Sequence, residues 1–116
     1  MNIKITATKI NLNNACFKSA KMDDQTLTLI VDNQEKKLIY IVFLNTIQIS
    51  YKVGNTIQGL YQLPNDSPFF RKAMSLKYEK IPEVPPFKLF QLIDIDDLPF
   101  IEIVAESVQV IPTYAL

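Results

Sequence analysis

Carboxylates are the most concentrated chemically active groups in this sequence, and they gather near residue 94. Asp94, Asp96 and Asp97 lie within four residues of one another, and Glu102 and Glu106 follow. On a strand, Asp94 and Asp96 project from the same face, where their oxygens could hold a hard cation or contact a basic partner. The spacing lacks the glycine and the distant glutamate of an EF-hand loop. Because aspartate stabilises turns, a solvated turn between strands is the alternative explanation.

The other side chains offer little catalytic chemistry. The chain has no histidine and a single cysteine, Cys16. The usual general base, histidine-dependent nucleophiles and His-containing zinc sites are therefore excluded. Lys18 lies on the same strand face as Cys16 and would favour a thiolate, although a lone cysteine more often packs as a small apolar residue. We expect a protein that is not an enzyme and that uses no cofactor or metal.

A small basic patch is the second candidate binding surface. Arg71 and Lys72 lie on a predicted helix, and Lys77 and Lys80 follow. The patch could receive an acidic peptide or the acidic part of another subunit. A solvated helix face explains the same pattern.

Composition predicts β structure and association with a protein partner or with further copies of the chain. A quarter of the residues are Ile, Val or Thr, which fit strands better than helices, and only two are glycine. The 12 basic and 12 acidic residues cancel, so the chain lacks the basic excess of a nucleic-acid binder. The basic excess lies in the first half and the acidic excess in the second. A near-neutral chain has little charge repulsion against self-association, so we expect a protein partner or a homo-oligomer.

Targeting features indicate a cytoplasmic protein without a membrane span. Residues 1–6 alternate in polarity and contain no apolar block of the signal-peptide kind. The longest uninterrupted apolar run, Leu38–Leu44, has seven residues, whereas a membrane helix needs about 20. One cysteine cannot form a disulfide within the chain.

Alternating apolar residues predict a series of strands. A strand at 3–7 changes phase near Thr8 and Lys9, which suggests a bulge. Further strands are expected at 15–22, 25–31, 38–44, 46–53, 57–63, 87–95, 100–104 and 107–111. One short helix is expected near 67–76, capped by Asp66 or Ser67 with Pro68 at its start.

Two hairpins and one central strand follow from this pattern. A two-residue loop at Asn33 and Gln34 would place Leu29 opposite Leu38. A three-residue loop over 54–56 would pair Val53 with Ile57 and lay Tyr51 opposite Gly59. Residues 38–44 are apolar at both parities, so we expect that strand in the middle of the sheet with both faces covered.

The predicted fold is a single domain over residues 1–116, mainly β. It is an antiparallel small barrel or sandwich of about eight strands with one short helix. We expect a protein-interaction module that self-associates. One alternative is a carrier with a small molecule held inside the barrel by Phe and Tyr side chains. An open pocket above roughly 300 Å³ favours this carrier, whereas a packed core with a flat apolar surface favours the module.

A further alternative is an inhibitor or immunity-type protein. It would use the acidic side chains of Asp94, Asp96 and Asp97 to neutralise a basic toxin or enzyme. Its complex with such a partner would weaken when these residues become asparagine.

Overall fold

The structure is a computed structural model that describes residues 3–4 (backbone only), 12–33, 35–52, 54 and 56–113. Most of these residues lie in strands. Within these residues nine strands and one helix follow one another: β1 (Ile3–Lys4), β2 (Ala15–Asp23), β3 (Thr26–Asp32), β4 (Leu38–Leu44), β5 (Gln48–Tyr51), β6 (Thr56–Leu63), α1 (Pro68–Lys77), β7 (Lys88–Asp94), β8 (Pro99–Ala105) and β9 (Ser107–Pro112). The predicted bulge near Thr8 and Lys9 lies outside the described residues. The mainly β prediction with one short helix is confirmed.

All strands belong to one antiparallel sheet. Its order is β5-β8-β7-β6-β2-β3-β4-β9, and the two-residue strand β1 pairs with β6 beside this path. No ladder joins β5 to β9 among the described residues, so the sheet is not closed into a barrel. A radius of gyration of 14.1 Å is close to the value of about 13 Å for a compact domain of this length.

The sheet curls so that its two halves pack against each other. Phe43 on β4 and Phe90 on β7 are four positions apart in strand order, yet their ring centroids are 5.6 Å apart. Both rings are buried in a core that also takes side chains from β2, β3, β6 and β8. The inner face of the curl is therefore a dry core between two layers, as in a sandwich.

A second, smaller core lies on the outer side of the sheet, beneath α1. Phe70, Ala73 and Met74 of the helix pack with Leu89 and Val104 of β7 and β8. The helix begins as predicted, because the Ser67 hydroxyl accepts a hydrogen bond from the Phe70 amide at 3.2 Å. It continues to Lys77, whose Nζ lies 5.7 Å from the centroid of the Phe87 ring.

The predicted two-residue loop between β3 and β4 is wrong. Asp32 pairs with Leu38, and Leu29 lies opposite Ile41 rather than Leu38. The loop spans 33–37 because the Asn33 carboxamide oxygen accepts bonds from the amides of Glu35 (2.9 Å) and Lys37 (3.0 Å). Asparagine thus closes a longer loop with its own side chain.

The predicted hairpin between β5 and β6 is also wrong. Tyr51 lies opposite Ile101 on β8, and Gly59 lies opposite Ile93 on β7. The chain does not turn back after β5, since the Lys52 amide donates to the carbonyl of Phe100 at 2.7 Å. Gly54 then passes against the Phe100 ring, and a Cβ added to it would lie 2.6 Å from the ring carbon Cγ.

β4 lies inside the sheet but next to the edge strand β9, so the predicted place in the middle of the sheet is wrong, and so is the predicted cover on both its faces. The strand is hydrogen-bonded to β3 on one side and to β9 on the other. Ile39, Ile41 and Phe43 point into the core and are fully buried. On the opposite face, Leu38 is 41% exposed and Tyr40 is 37% exposed.

Candidate functional site

The acidic turn connects β7 to β8, and Asp94 holds its backbone. The Asp94 Oδ1 accepts hydrogen bonds from the amides of Asp96 (2.9 Å) and Leu98 (3.0 Å). Asp97 adopts a positive φ of 65°, and its amide donates to the Asp94 carbonyl. The side chains of Asp96 and Asp97 are exposed at the tip. This geometry is that of an Asp-stabilised turn with two exposed carboxylates at its tip.

Glu102 does not join this tip. It lies opposite Gln91 on β7, and its Oε2 accepts a hydrogen bond from Gln91 Nε2 at 2.9 Å. Gln91 precedes Asp94 by three residues, which is about 10 Å along a strand. Among the described residues, no three His, Cys, Asp or Glu side chains are grouped to hold a metal ion.

Arg71 and Lys72 lie far from the acidic turn. Both are exposed on α1, which packs against Leu89 and Val104 at the start of β7 and the end of β8. The turn at Asp94 is at the other end of this hairpin, about 17 Å along the strand. The structure therefore separates the acidic and basic candidates, and each remains a candidate contact for a partner.

Cys16 is half-buried at the start of β2, opposite Asp32 on β3. The ladder is irregular between Phe17 and Ser19. The Lys18 ammonium contacts Asp32 instead, with Nζ 3.4 Å from Oδ2, and the Asp32 side chain is almost completely buried. The lysine therefore neutralises a buried carboxylate, which accounts for its place on this strand.

The sequence patterns did not single out one group of neighbouring exposed apolar side chains. We use the name outer apolar face for a group of side chains on the solvent side of β3, β4 and β9: Ile30, Leu38, Tyr40, Val42 and Ile111. Tyr40 lies between Ile30 and Ile111 in adjacent strands, and Ile111 is 42% exposed. The signal is present in the sequence, because β4 is apolar at both parities, but this pattern is also typical of a strand covered on both faces within its own chain.

The two halves of the outer surface differ in one respect. On β7 and β8, the outward side chains of Leu89 and Val104 are completely buried beneath α1. On β3, β4 and β9, no described element packs over the corresponding side chains. The outer apolar face is thus the half of the sheet that the described part of this chain leaves uncovered.

A second apolar feature is a cleft where the curled sheet stays open. It has a volume of about 320 Å³ and is lined mainly by apolar side chains of β2, β3, β5 and β8: Phe17, Ser19, Ala20, Leu27, Leu29, Ile49, Tyr51 and Ile101. The rings of Phe17 and Tyr51 lie 5.7 Å apart at its edge. We call it the seam cleft.

Comparisons with protein-family models, with curated proteins and with solved structures found no match for this chain. In the part of the chain that the structure describes, no helix has the length and apolar character needed to cross a membrane. The candidate sites are therefore judged on geometry and chemistry alone.

Proposed function

We propose that this protein is a non-enzymatic interaction module that associates with a second copy of itself through the outer apolar face. The observation that carries the proposal is the exposure of Leu38, Tyr40 and Ile111 at about two-fifths each on adjoining positions of two paired strands. Single exposed apolar residues are ordinary on monomeric proteins, whereas exposed apolar side chains that adjoin one another often mark association sites.

The sequence of β4 supports the same conclusion. A strand with apolar residues at both parities is typical of one whose two faces are buried. One face of β4 is buried in the core, while Leu38 and Tyr40 on the other remain exposed. A partner sheet stacked on this face would complete the burial, since aligned sheets pack face to face about 10 Å apart.

Charge favours a second copy as that partner. The formal net charge of the chain is zero, so two copies meet without overall repulsion. The one charged residue of β3 on this side, Asp32 opposite Leu38, is buried and paired with Lys18, so the exposed side chains of the outer apolar face are uncharged. In a dimer with a two-fold axis, the same patch of each copy contacts that patch of the other copy. An uncharged apolar patch can form such a contact with itself.

The test is the molar mass measured by light scattering over a range of protein concentrations. We expect twice the chain mass of 13.3 kDa at high concentration and dissociation on dilution. Ile111→Lys should shift the chain to the monomer. The control is Ile95→Lys, which places the same charge on a 57%-exposed residue of the acidic turn and should leave the dimer intact. A wild-type monomer at every concentration would refute the proposal.

The seam cleft supports a second candidate function, the binding of a small uncharged molecule. Its volume of about 320 Å³ lies at the lower limit of ligand pockets, and Phe17 and Tyr51 offer aromatic surfaces. No charged side chain lines it among the described residues, so an apolar and neutral ligand fits best. Nile red is a suitable neutral probe. Binding that Ile49→Asp, at a 38%-exposed residue of the cleft, abolishes and Ile111→Asp leaves unchanged would support this function, and no binding would refute it.

A further inference from the structure

The outer apolar face is bordered by opposite charges at its two ends. Lys36 lies in the loop just before Leu38, where β4 begins. Glu106 lies beside the other end of β4, because its amide donates to the carbonyl of Leu44 at 3.0 Å. The seven residues of β4 separate the two ends by about 20 Å. From this polarity we propose that the two copies stack with antiparallel strands, the basic end of one beside the acidic end of the other.

The basic end keeps an unneutralised cation. Its two anions are engaged within the chain, since Asp32 contacts Lys18 at 3.4 Å and Glu35 contacts Lys37 at 3.5 Å. Lys36 is exposed and forms no ion pair with a described residue. The described residues of this end therefore present net positive charge to a partner.

The acidic end keeps unneutralised anions. Asp23 and Asp24 are exposed in the turn between β2 and β3, and Glu106 is half-buried. Two lysines lie nearby: Lys88, whose Nζ donates to the Glu106 backbone carbonyl at 3.2 Å, and Lys21, which lines the same surface pocket as Asp23 and Asp24. The three carboxylates outnumber these lysines, and none of them forms an ion pair with a described residue. The turn lies next to the end of β4, because the Thr46 amide donates to the carbonyl of Gln25 at 2.7 Å.

Only two simple arrangements stack two identical sheets about a two-fold axis that lies between them. An axis parallel to the strands places like ends together, so Lys36 would face the same residue of the second copy. An axis perpendicular to the strands places opposite ends together, so Lys36 would face Glu106. Like charges brought together disfavour the first arrangement, and opposite charges favour the second. Exposed charges contribute little affinity, so they select the orientation while the apolar side chains hold the copies together.

This inference rests on the proposed function, and cross-linking separates the two. In a Cys16→Ser background, the probes Thr113→Cys, beside Leu38, and Asn45→Cys, directly after Leu44, mark the two ends of β4 and keep Lys36 and Glu106 in place. The two chains are mixed in equal amounts and treated with a bismaleimide, and we expect a cross-linked dimer that contains one chain of each kind. Thr113→Cys alone should give none, and neither should Thr113→Cys mixed with Glu79→Cys, a control at an exposed residue just beyond α1.

The possible outcomes are distinct when light scattering is run on the same samples. Cross-linking of Thr113→Cys with itself would overturn the antiparallel arrangement in favour of like ends. A dimer that gives no product in the mixed sample would also overturn it, and would point to pairing along the free edge of β9. A monomer in the scattering measurement would refute the proposed function as well.

Discussion

Tyr40 and Ile111 lie directly opposite each other on β4 and β9, and both side chains remain partly exposed, at 37% and 42%. Cross-strand pairs of an aromatic and a β-branched residue stabilise a sheet by a few tenths of a kcal/mol to about 1 kcal/mol. Their exposed surfaces face solvent in the isolated chain. The pair is therefore the centre of the outer apolar face and the natural place to test it.

Tyr40→Ala and Ile111→Ala should each raise the Kd of the dimer by about tenfold, because each removes a central apolar contact. Analytical ultracentrifugation measures this constant. The double variant should raise it by less than the product of the two, since the side chains share one contact. Tyr51→Ala, at a 55%-exposed tyrosine of the seam cleft, should leave the constant unchanged. Equal increases in Kd from Tyr40→Ala, Ile111→Ala and Tyr51→Ala would contradict the assignment of the interface to the outer apolar face.

The curl of the sheet predicts an energetic coupling between Phe43 and Phe90. Each Phe→Ala change should lower the free energy of unfolding by about 3–5 kcal/mol, because each ring is buried in the core. The ring centroids lie 5.6 Å apart across the two layers, so a double-mutant cycle should give a coupling energy of about 0.5–1.5 kcal/mol. Urea denaturation provides the four values. Simple additivity of the two changes would argue against contact between the layers.

The crossing of the chain over Phe100 predicts that Gly54→Ala is destabilising. The added Cβ would lie 2.6 Å from Cγ of the ring, and overpacking of this kind costs about 1–3 kcal/mol. The effect is steric, because no described glycine has a positive φ. In a Phe100→Ala background, which removes Cγ and Cδ2 and leaves only Cβ of the three atoms nearest to the added one, the same change should cost clearly less, as thermal unfolding can show. An equal cost in both backgrounds would place the cause elsewhere.

The helix cap gives a smaller and separate prediction. Ser67→Ala should lower the free energy of unfolding by about 1 kcal/mol, because the Phe70 amide loses its acceptor. The matched control is Ser75→Ala, whose hydroxyl donates to the carbonyl of Lys72 on the exposed side of the helix. That change should stay within about 0.5 kcal/mol of wild type. If the two variants are equally stable in urea, the cap does not contribute as described.

Sequence patterns located the strands well because alternation depends only on neighbouring residues. They did not predict which strands pair with each other, because local patterns do not specify the pairing. The loop at Asn33 is closed by its carboxamide, which strand periodicity does not register. Tyr51 pairs with Ile101, fifty residues away, whereas the predicted partner Gly59 is close in sequence.

The candidate sites show the same limit. Asp94 could be placed in a turn from its residue type, but its separation from Arg71 depends on where α1 packs. The apolar residues of both parities in β4 were noticed, yet their pattern does not distinguish a cover within the chain from one supplied by a partner. Only the exposure of Leu38 and Tyr40 reveals that the cover is missing.

The most direct test of the central claim is hydroxyl-radical footprinting of Tyr40 over a range of protein concentrations, read by mass spectrometry. Tyr51 serves as the control within the same molecule, since it is exposed at the seam cleft rather than on the outer apolar face. We predict that oxidation of Tyr40 falls as the dimer forms while oxidation of Tyr51 stays constant. Unchanged oxidation of Tyr40 at concentrations where the mass has doubled would contradict a dimer built on this face.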